Sequence, residues 1–309
     1  MGATTPRMAV DFGGIKMKNP VNTASGTFGQ GWQFSEFIDV SALGAVTIKG
    51  VSAKAWPGNL QPRLAEVPSG MLNSVGLQNP GVRGLVEESG DYLAGLAAEG
   101  TAVICQVAGH APEEFASALR LYEELAPWAA GFELNVSCPN LALGGAACGS
   151  TPAGAAEVLR ACRPLTSRPL IVKMAPVNVA ETARALEAEG ADGLSLINTI
   201  SGMSIDVRTR RSRLSRPTAG LSGPAIHPIA VRMVWEAAQA VKIPLCGMGG
   251  IMSGADAAEF ILAGATCVAV GTANLADPTA SVRVLRELEE WAASQGVADI
   301  NELVGAFEC

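Results

Sequence analysis

The sequence predicts a (β/α)8 barrel, and three observations carry that prediction. Eight short, nearly continuously apolar runs are spaced along the chain, amphipathic stretches separate them, and glycine-rich turns close the last two runs. Continuous apolar runs, unlike alternating ones, are the mark of parallel strands covered on both faces. At 309 residues the chain is long enough for a barrel of this kind as one domain over residues 1–309. A doubly wound parallel sheet is the alternative that the pattern alone leaves open.

The elements follow in order. "MAVDFGGIKMKNP" places Gly-Gly between two short extended pieces, which predicts a small N-terminal β-hairpin across the barrel floor. The predicted strands are 20–24, 45–49, 102–108, 131–137, 169–174, 193–198, 244–249 and 267–271. Val82, Leu85, Val86, Leu93 and Leu96 recur at helical spacing, as do Ile226, Ile229, Met233, Val234 and Ala237. Helix starts are marked by Thr151-Pro152, by Asp277-Pro278 and by the Asn178/Glu181 pair, which has capping-box spacing. Gly190 and Gly264 supply stops. Two connections, 138–151 and 199–224, exceed ordinary strand-to-helix turns, and in a barrel both fall as long rim loops on the C-terminal face where chemistry is built.

Composition narrows the function. A net charge of −7 argues against general binding of nucleic acid or an anionic membrane. The basic run "RTRRSRLSR" (208–216) is the local exception and reads as a solvated or subunit-facing hairpin. Seven scattered cysteines form no CxxC or CxH pair, so a reducing, cytoplasmic setting is expected and no metal site. Cys105, Cys246 and Cys267 lie within apolar runs and read as small core residues. The opening residues lack a secretory pattern, and no apolar run is long enough for a spanning helix.

Four constellations carry chemistry. "GMGGIMSG" (247–254) and "VGTAN" (270–274) end the seventh and eighth runs, where barrels frequently hold phosphate. Their glycines let backbone N–H groups approach an anion, and Ser253 can cap the following helix. A nucleotide cofactor such as FMN or a phosphorylated substrate would satisfy this arrangement. Lys49 and Lys173 place ammonium groups at the ends of apolar strands, where each needs an anionic partner, either a ligand or a neighbouring carboxylate. Asn73, Asn135, Asn140 and Asn198 offer donor and acceptor side by side, matching a planar imide or amide ring. Cys138 stands in "NVSCPN" where the fourth run leaves the core. A thiol there can serve as nucleophile, general base, metal ligand or packing, and neither His110 nor His227 is near it in sequence.

These motifs together resemble class 1 dihydroorotate dehydrogenase. "ASGTFG", "TIKG", "NSVGLQNPG", "NVSCPN", "IVKMAP", "INTISGM", "GLSGPAI", "GMGGI" and "VGTA" match in order over nearly the whole chain. Class 2 members use a serine as base and carry a membrane-associating N-terminal extension, whereas this sequence has Cys138 and shows no such extension. "NSVGLQNPG" and "INTISGM" look most like class 1B, the NAD-linked type, in which an FMN subunit partners a second subunit carrying FAD and an iron–sulfur cluster. The resemblance implies a homodimer core within a heterotetramer, and dihydroorotate as substrate. It also implies flavin contacts from Ser25, Lys49, Gly50, Asn135, Lys173 and Ile197, with Gly223, Gly249, Gly250, Gly271 and Thr272 completing that site. Lys49, Asn73, Ser74, Val75, Gly76, Leu77, Asn135, Asn198 and Thr199 would hold dihydroorotate. Cys138 would take the C5 proton while hydride leaves C6 for flavin N5, and Lys173 would stabilise negative charge on the reduced ring.

Three positions depart from the family pattern. Gln106 stands where Asn is usual, His227 follows "GPAI" where Lys is common, and Cys148 replaces an aromatic in the segment after Cys138. The competing readings are a dihydropyrimidine-type dehydrogenase acting on dihydrouracil or dihydrothymine, a class 1A-like fumarate-linked enzyme, and a phosphate-binding barrel lyase or isomerase without redox function.

Overall fold

The structure is a computed structural model that describes residues 6–137 and 148–308. Eight parallel strands form its central sheet: β1 (Val21–Thr23), β2 (Ala45–Thr47), β3 (Ala102–Val107), β4 (Gly131–Asn135), β5 (Leu170–Lys173), β6 (Gly193–Leu196), β7 (Leu245–Gly247) and β8 (Cys267–Val270). Their order is β1-β8-β7-β6-β5-β4-β3-β2, so the sheet curls round in chain order as a (β/α)8 barrel requires. Each of the eight apolar runs contains one strand. Every residue of β3 and β4 is buried, the consequence of helices outside and packed side chains inside.

A side chain closes the seam between β1 and β2. Gly44 N–H is shared between the Val21 carbonyl (3.1 Å) and Asn19 Oδ1 (2.9 Å) at the seam's lower end, and Asn22 bridges the strands further in. Its Oδ1 accepts from Thr23 N–H (2.7 Å) and Thr47 N–H (3.0 Å), while Nδ2 donates to Thr47 Oγ1 (2.8 Å). Asn22 is 2 % exposed, so removing its amide strands two backbone donors in the core. Asn22→Leu is therefore expected to cost about 2–4 kcal/mol of stability, from unsatisfied buried donors at roughly 1–3 kcal/mol each. Urea unfolding measures it; a change under about 0.5 kcal/mol, the size of an ordinary surface substitution, would remove the seam assignment.

Helices α1 (Ser25–Phe28), α2 (Gly81–Ala98), α3 (Pro112–Leu125), α4 (Pro152–Cys162), α5 (Val179–Ala188), α6 (His227–Ala238), α7 (Gly254–Leu262) and α8 (Ala280–Ser294) follow the strands. On α2 the spaced apolar residues Val82, Leu85, Leu93 and Leu96 are buried. On α6 Val234 and Ala237 are buried, but Ile229 is exposed, because that residue faces away from the barrel. Thr151 caps α4 by accepting from Gly154 N–H, as its Thr-Pro start predicts. Two start signals act differently from the expectation. Asn178 adopts a left-handed conformation and makes no side-chain cap. Asp277 accepts from Thr279 N–H in a turn ahead of α8, which begins only at Ala280.

The predicted hairpin is present as Val10–Phe12 paired with Ile15–Met17. Phe12 and Ile15 are buried beneath the barrel, where a Cβ on Gly131 or Gly193, at the strand entrances, would strike them. Gly13 has φ of +61°, and a Cβ there would lie 2.3 Å from the Asp192 carbonyl oxygen, so only glycine lets the turn sit against the entrance to β6.

On the opposite face, the 199–224 connection folds as strands Ile200–Gly202 and Ala219–Ser222. They join Gly70–Asn73 and Leu64–Val67 in a four-stranded antiparallel sheet, with Gly220 opposite Asn73. The second pair comes from the 50–80 connection, within which the sequence marks only the 73–81 motif. The basic run forms part of a two-stranded ribbon pairing Ile205–Asp206 with Arg211–Ser212, and Arg213 reaches back to the Glu66 carbonyl at 2.8 Å. Most of the 138–151 connection, including Cys138 and Asn140, lies outside the described residues.

Candidate functional site

Between the C-terminal strand ends and the antiparallel sheet lies a cavity of about 290 Å³. That is the lower edge of the size range for small-molecule sites, about 300–1,000 Å³. The barrel delivers Ser25 after β1, Lys49 after β2, Asn135 and Lys173 from β4 and β5, and Ile197, Asn198 and Thr199 after β6. The antiparallel sheet and the turn after it supply Asn73, Val75, Gly76 and Leu77 from one side and Gly223 from the other. Gly249, Gly250, Gly271 and Thr272 complete the wall at the ends of β7 and β8. Residues far apart in sequence, named on motif and resemblance, thus line one space.

Among the described residues, two that the resemblance names do not line it. Ser74 is fully buried behind the wall, where its N–H donates to Arg63 O (2.8 Å) and its Oγ accepts from Asn59 Nδ2 (3.0 Å). Gly50 is buried against Gln106, whose Oε1 a Cβ would approach to 2.4 Å. Conversely, Leu64, Met71, Ser222, Met248 and Leu275 line the cavity and escaped the sequence reading. Leu64 and Met71 belong to the antiparallel strands, so only recognition of that sheet would have found them.

The electrostatics favour an anion. Among the described lining residues Lys49 and Lys173 are the ionisable side chains, and both are cations. Lys173 is 7 % exposed and its ammonium makes no hydrogen bond or ion pair with any described residue. A buried ammonium in that condition is stabilised by negative charge brought in with a ligand.

The anion-binding geometry at β7 and β8 differs from the expectation in one respect. The N-terminus of α7 is already satisfied from within the protein. Met252 and Ser253 N–H both donate to Asp256 Oδ2 at 2.8 Å, and Gly254 N–H donates to Glu287 Oε2 at 2.8 Å. Ser253 completes a full capping box with Asp256. The backbone donors of these two turns with no acceptor among the described residues include those of Gly249, Gly250, Gly271 and Thr272. Gly250 has φ of +68° and a Cβ there would meet Gly223 O at 2.8 Å, so the close turn depends on its being glycine. Thr272 Oγ1 donates to Ser222 Oγ at 2.8 Å, joining this turn to the antiparallel sheet.

A chain of polar side chains runs along the cavity wall. Glu133, 3 % exposed, accepts from Gln106 Nε2 (2.5 Å) and from Ser195 Oγ. Asn135 Nδ2 donates to Gln106 Oε1 (3.2 Å), Ser137 Oγ donates to Asn135 Oδ1 (2.9 Å), and Asn198 Nδ2 donates to Ser137 Oγ (2.7 Å). Gln106, one of the positions that departs from the family pattern, is therefore an integral member of the wall. His227, another, holds the Gly249 carbonyl through Nδ1 at 3.0 Å and packs edge-on against Phe260 with ring centroids 5.2 Å apart. The third, Cys148, has no described side chain.

The described thiols belong to the core. Cys105, Cys162, Cys246 and Cys267 are buried and free. Burial raises the Cys162 thiol to about 12 and lifts Cys105 and Cys267 further still, so these three stay protonated. Among the described residues no helix is long and apolar enough to cross a membrane.

A profile described as dihydroorotate dehydrogenase matches residues 7–291. The chain is 48 % identical over 305 residues to the "Dihydroorotate dehydrogenase B (NAD(+)), catalytic subunit" of Trichlorobacter lovleyi, covering 98 % of this chain and 99 % of the relative. Its identity to proteins of the same description is 47 % over 306 residues in Pelobacter propionicus and 49 % over 306 residues in Geobacter sulfurreducens, with 98 % and 99 % coverage in both cases.

Proposed function

Since the chain belongs to the dihydroorotate dehydrogenase family, we propose that it is the catalytic subunit of an NAD-linked, FMN-dependent enzyme that oxidises (S)-dihydroorotate to orotate in pyrimidine biosynthesis. One observation supports the reading above the others: Lys173 is buried at the cavity wall and its ammonium has no partner among the described residues, beside the amides of Gln106, Asn135 and Asn198. The N–H groups of Gly250, Gly271 and Thr272 suit an FMN phosphate, and Lys173 with Ser25 and Ile197 suits the ring system. FMN, when bound, supplies the electron sink that accepts the C6 hydride. Asn73, Asn135, Asn198 and Thr199 meet the planar imide of dihydroorotate, and Lys49 offsets its carboxylate.

Cys138 receives the proton from C5. It directly follows Ser137, which is 4 % exposed and tied to both Asn135 and Asn198, so the chain enters the Cys138 segment from an anchored point on the cavity wall. Electrons leave through a partner subunit carrying FAD and an iron–sulfur cluster, on a homodimeric core of this chain in the cytoplasm, with NAD as final acceptor. A dihydropyrimidine dehydrogenase would share the flavin and the cysteine but has no substrate carboxylate to satisfy. The purified protein should be yellow, and acid should release FMN in about equimolar amount. Orotate should shift the flavin absorption bands at concentrations where uracil does not. Colourless protein, or a response to uracil alone, would sink this assignment.

A further inference from the structure

The buried carboxylate of Glu133 has no part in the chemistry described so far. We propose that Glu133 is a positioning residue that fixes the hydrogen-bond polarity of the amide side chains facing the substrate, with Gln106 as the intermediary. The inference rests on reading the cavity as the dihydroorotate site.

An ionised carboxylate accepts hydrogen bonds and donates none, whereas a carboxamide can turn over and exchange its donor and acceptor ends at little steric cost. Glu133 therefore has only one way to meet Gln106: the Gln106 amide must point its NH₂ group at Glu133 Oε1, as it does at 2.5 Å. Each later orientation then follows. Gln106 Oε1 faces Asn135, so Asn135 must offer its NH₂ (3.2 Å) and turn Oδ1 towards Ser137. Ser137 gives its hydroxyl proton to Asn135 (2.9 Å) and keeps a lone pair for Asn198 Nδ2 (2.7 Å). Asn198 Oδ1 is left to accept from Thr199 N–H at 2.8 Å. One acceptor-only group at the start of the chain thus sets which atoms of Gln106 and Asn135 face the ligand, while Asn198 is held independently by the Thr199 N–H and the Ser137 carbonyl (3.4 Å). Ser195 occupies the second carboxylate oxygen of Glu133, and with its rotatable hydroxyl it could serve equally as a donor or an acceptor.

That last point makes the inference testable. In Glu133→Gln the new amide can point its oxygen at Gln106 and its NH₂ at Ser195, preserving the polarity, or turn over and invert it. On inversion the Ser137 hydroxyl oxygen accepts from both Asn135 and Asn198, and Asn198 keeps its orientation. Both arrangements are therefore satisfied at Gln106 and Asn135, so about half the molecules stay competent and orotate affinity falls only about two- to threefold. In Glu133→Gln/Ser195→Ala the NH₂ loses its partner at position 195. It then donates to Gln106, which inverts the chain, and orotate affinity falls at least about tenfold, since a stranded buried donor outweighs the alternative. Ser195→Ala alone, with the carboxylate still in place, stays within about twofold because the polarity remains fixed.

Orotate binding is read by titration calorimetry on the FMN-loaded protein, with the FMN-to-protein ratio and the melting temperature recorded for every variant. In turnover, the double variant raises KM for dihydroorotate while holding kcat. If the alanine double variant does not fold, Glu133→Gln/Ser195→Gly makes the same comparison. A double-variant loss no greater than the product of the two single losses, with flavin content intact, overturns the role of Glu133. Wild-type protein that binds no orotate overturns instead the reading of the site.

Discussion

Cys138→Ala is expected to lower turnover with dihydroorotate by about 10²–10⁴-fold, the usual contribution of a positioned general base, while FMN content stays unchanged. The C5 proton is weakly acidic, and among the described residues lining the cavity no carboxylate or histidine could take it. The described thiols cannot substitute, because Cys105, Cys162, Cys246 and Cys267 are all buried in the core and none lines the cavity. A cysteine base acts as thiolate, so with Cys138 in that role the rate should rise with pH through the range where a free cysteine ionises, about 8.5. A serine hydroxyl ionises far above that range, so Cys138→Ser should lose this alkaline rise. Unchanged turnover of Cys138→Ser at high pH, with full flavin, would remove the assignment. Rapid anaerobic mixing over a pH series measures both.

Lys173→Met is expected to slow bleaching of the flavin by dihydroorotate by about 10²–10³-fold, the scale seen when a charge-stabilising donor is removed from a water-poor site. The orotate dissociation constant should change by much less. Methionine retains most of the side-chain volume, so the change isolates the charge from the packing. Lys173 is 7 % exposed and its ammonium, at the cavity wall, has no described partner, so negative charge that arrives with the ligand or develops during reaction is expected to stabilise it. Equal losses in binding and in bleaching rate would reassign Lys173 to ground-state binding.

Much of the barrel was legible because its signal is local. The eight apolar runs are strands because parallel strands covered on both faces tolerate no polar alternation, and Gly13-Gly14 marks the floor hairpin because its turn admits no Cβ. The antiparallel sheet over the rim was not legible. Its strands are three or four residues long and come from two connections far apart in sequence, so no window of periodicity contains them. The missed lining residues Leu64, Met71 and Ser222 all belong to that sheet. Asn178 and Asp277 failed as helix caps for a different reason: short polar side chains serve turns as readily as helix ends, and the backbone decides which. The lining residues came largely from motif resemblance, and Ser74 shows its limit. It sits inside a motif whose neighbours face the cavity, but its own hydroxyl is spent on Asn59.

Glu133 shows what neither periodicity nor motif could offer. A lone acid in an apolar run reads as an irregularity until the structure places Gln106 and Ser195 against it.

The most direct test of the account is anaerobic mixing of the yellow protein with dihydroorotate, followed by absorbance at the flavin bands. The account predicts that the colour bleaches in a single turnover with about one equivalent of orotate formed per FMN, and that dihydrouracil leaves it yellow. Flavin that stays oxidised in dihydroorotate but bleaches in dihydrouracil would contradict it.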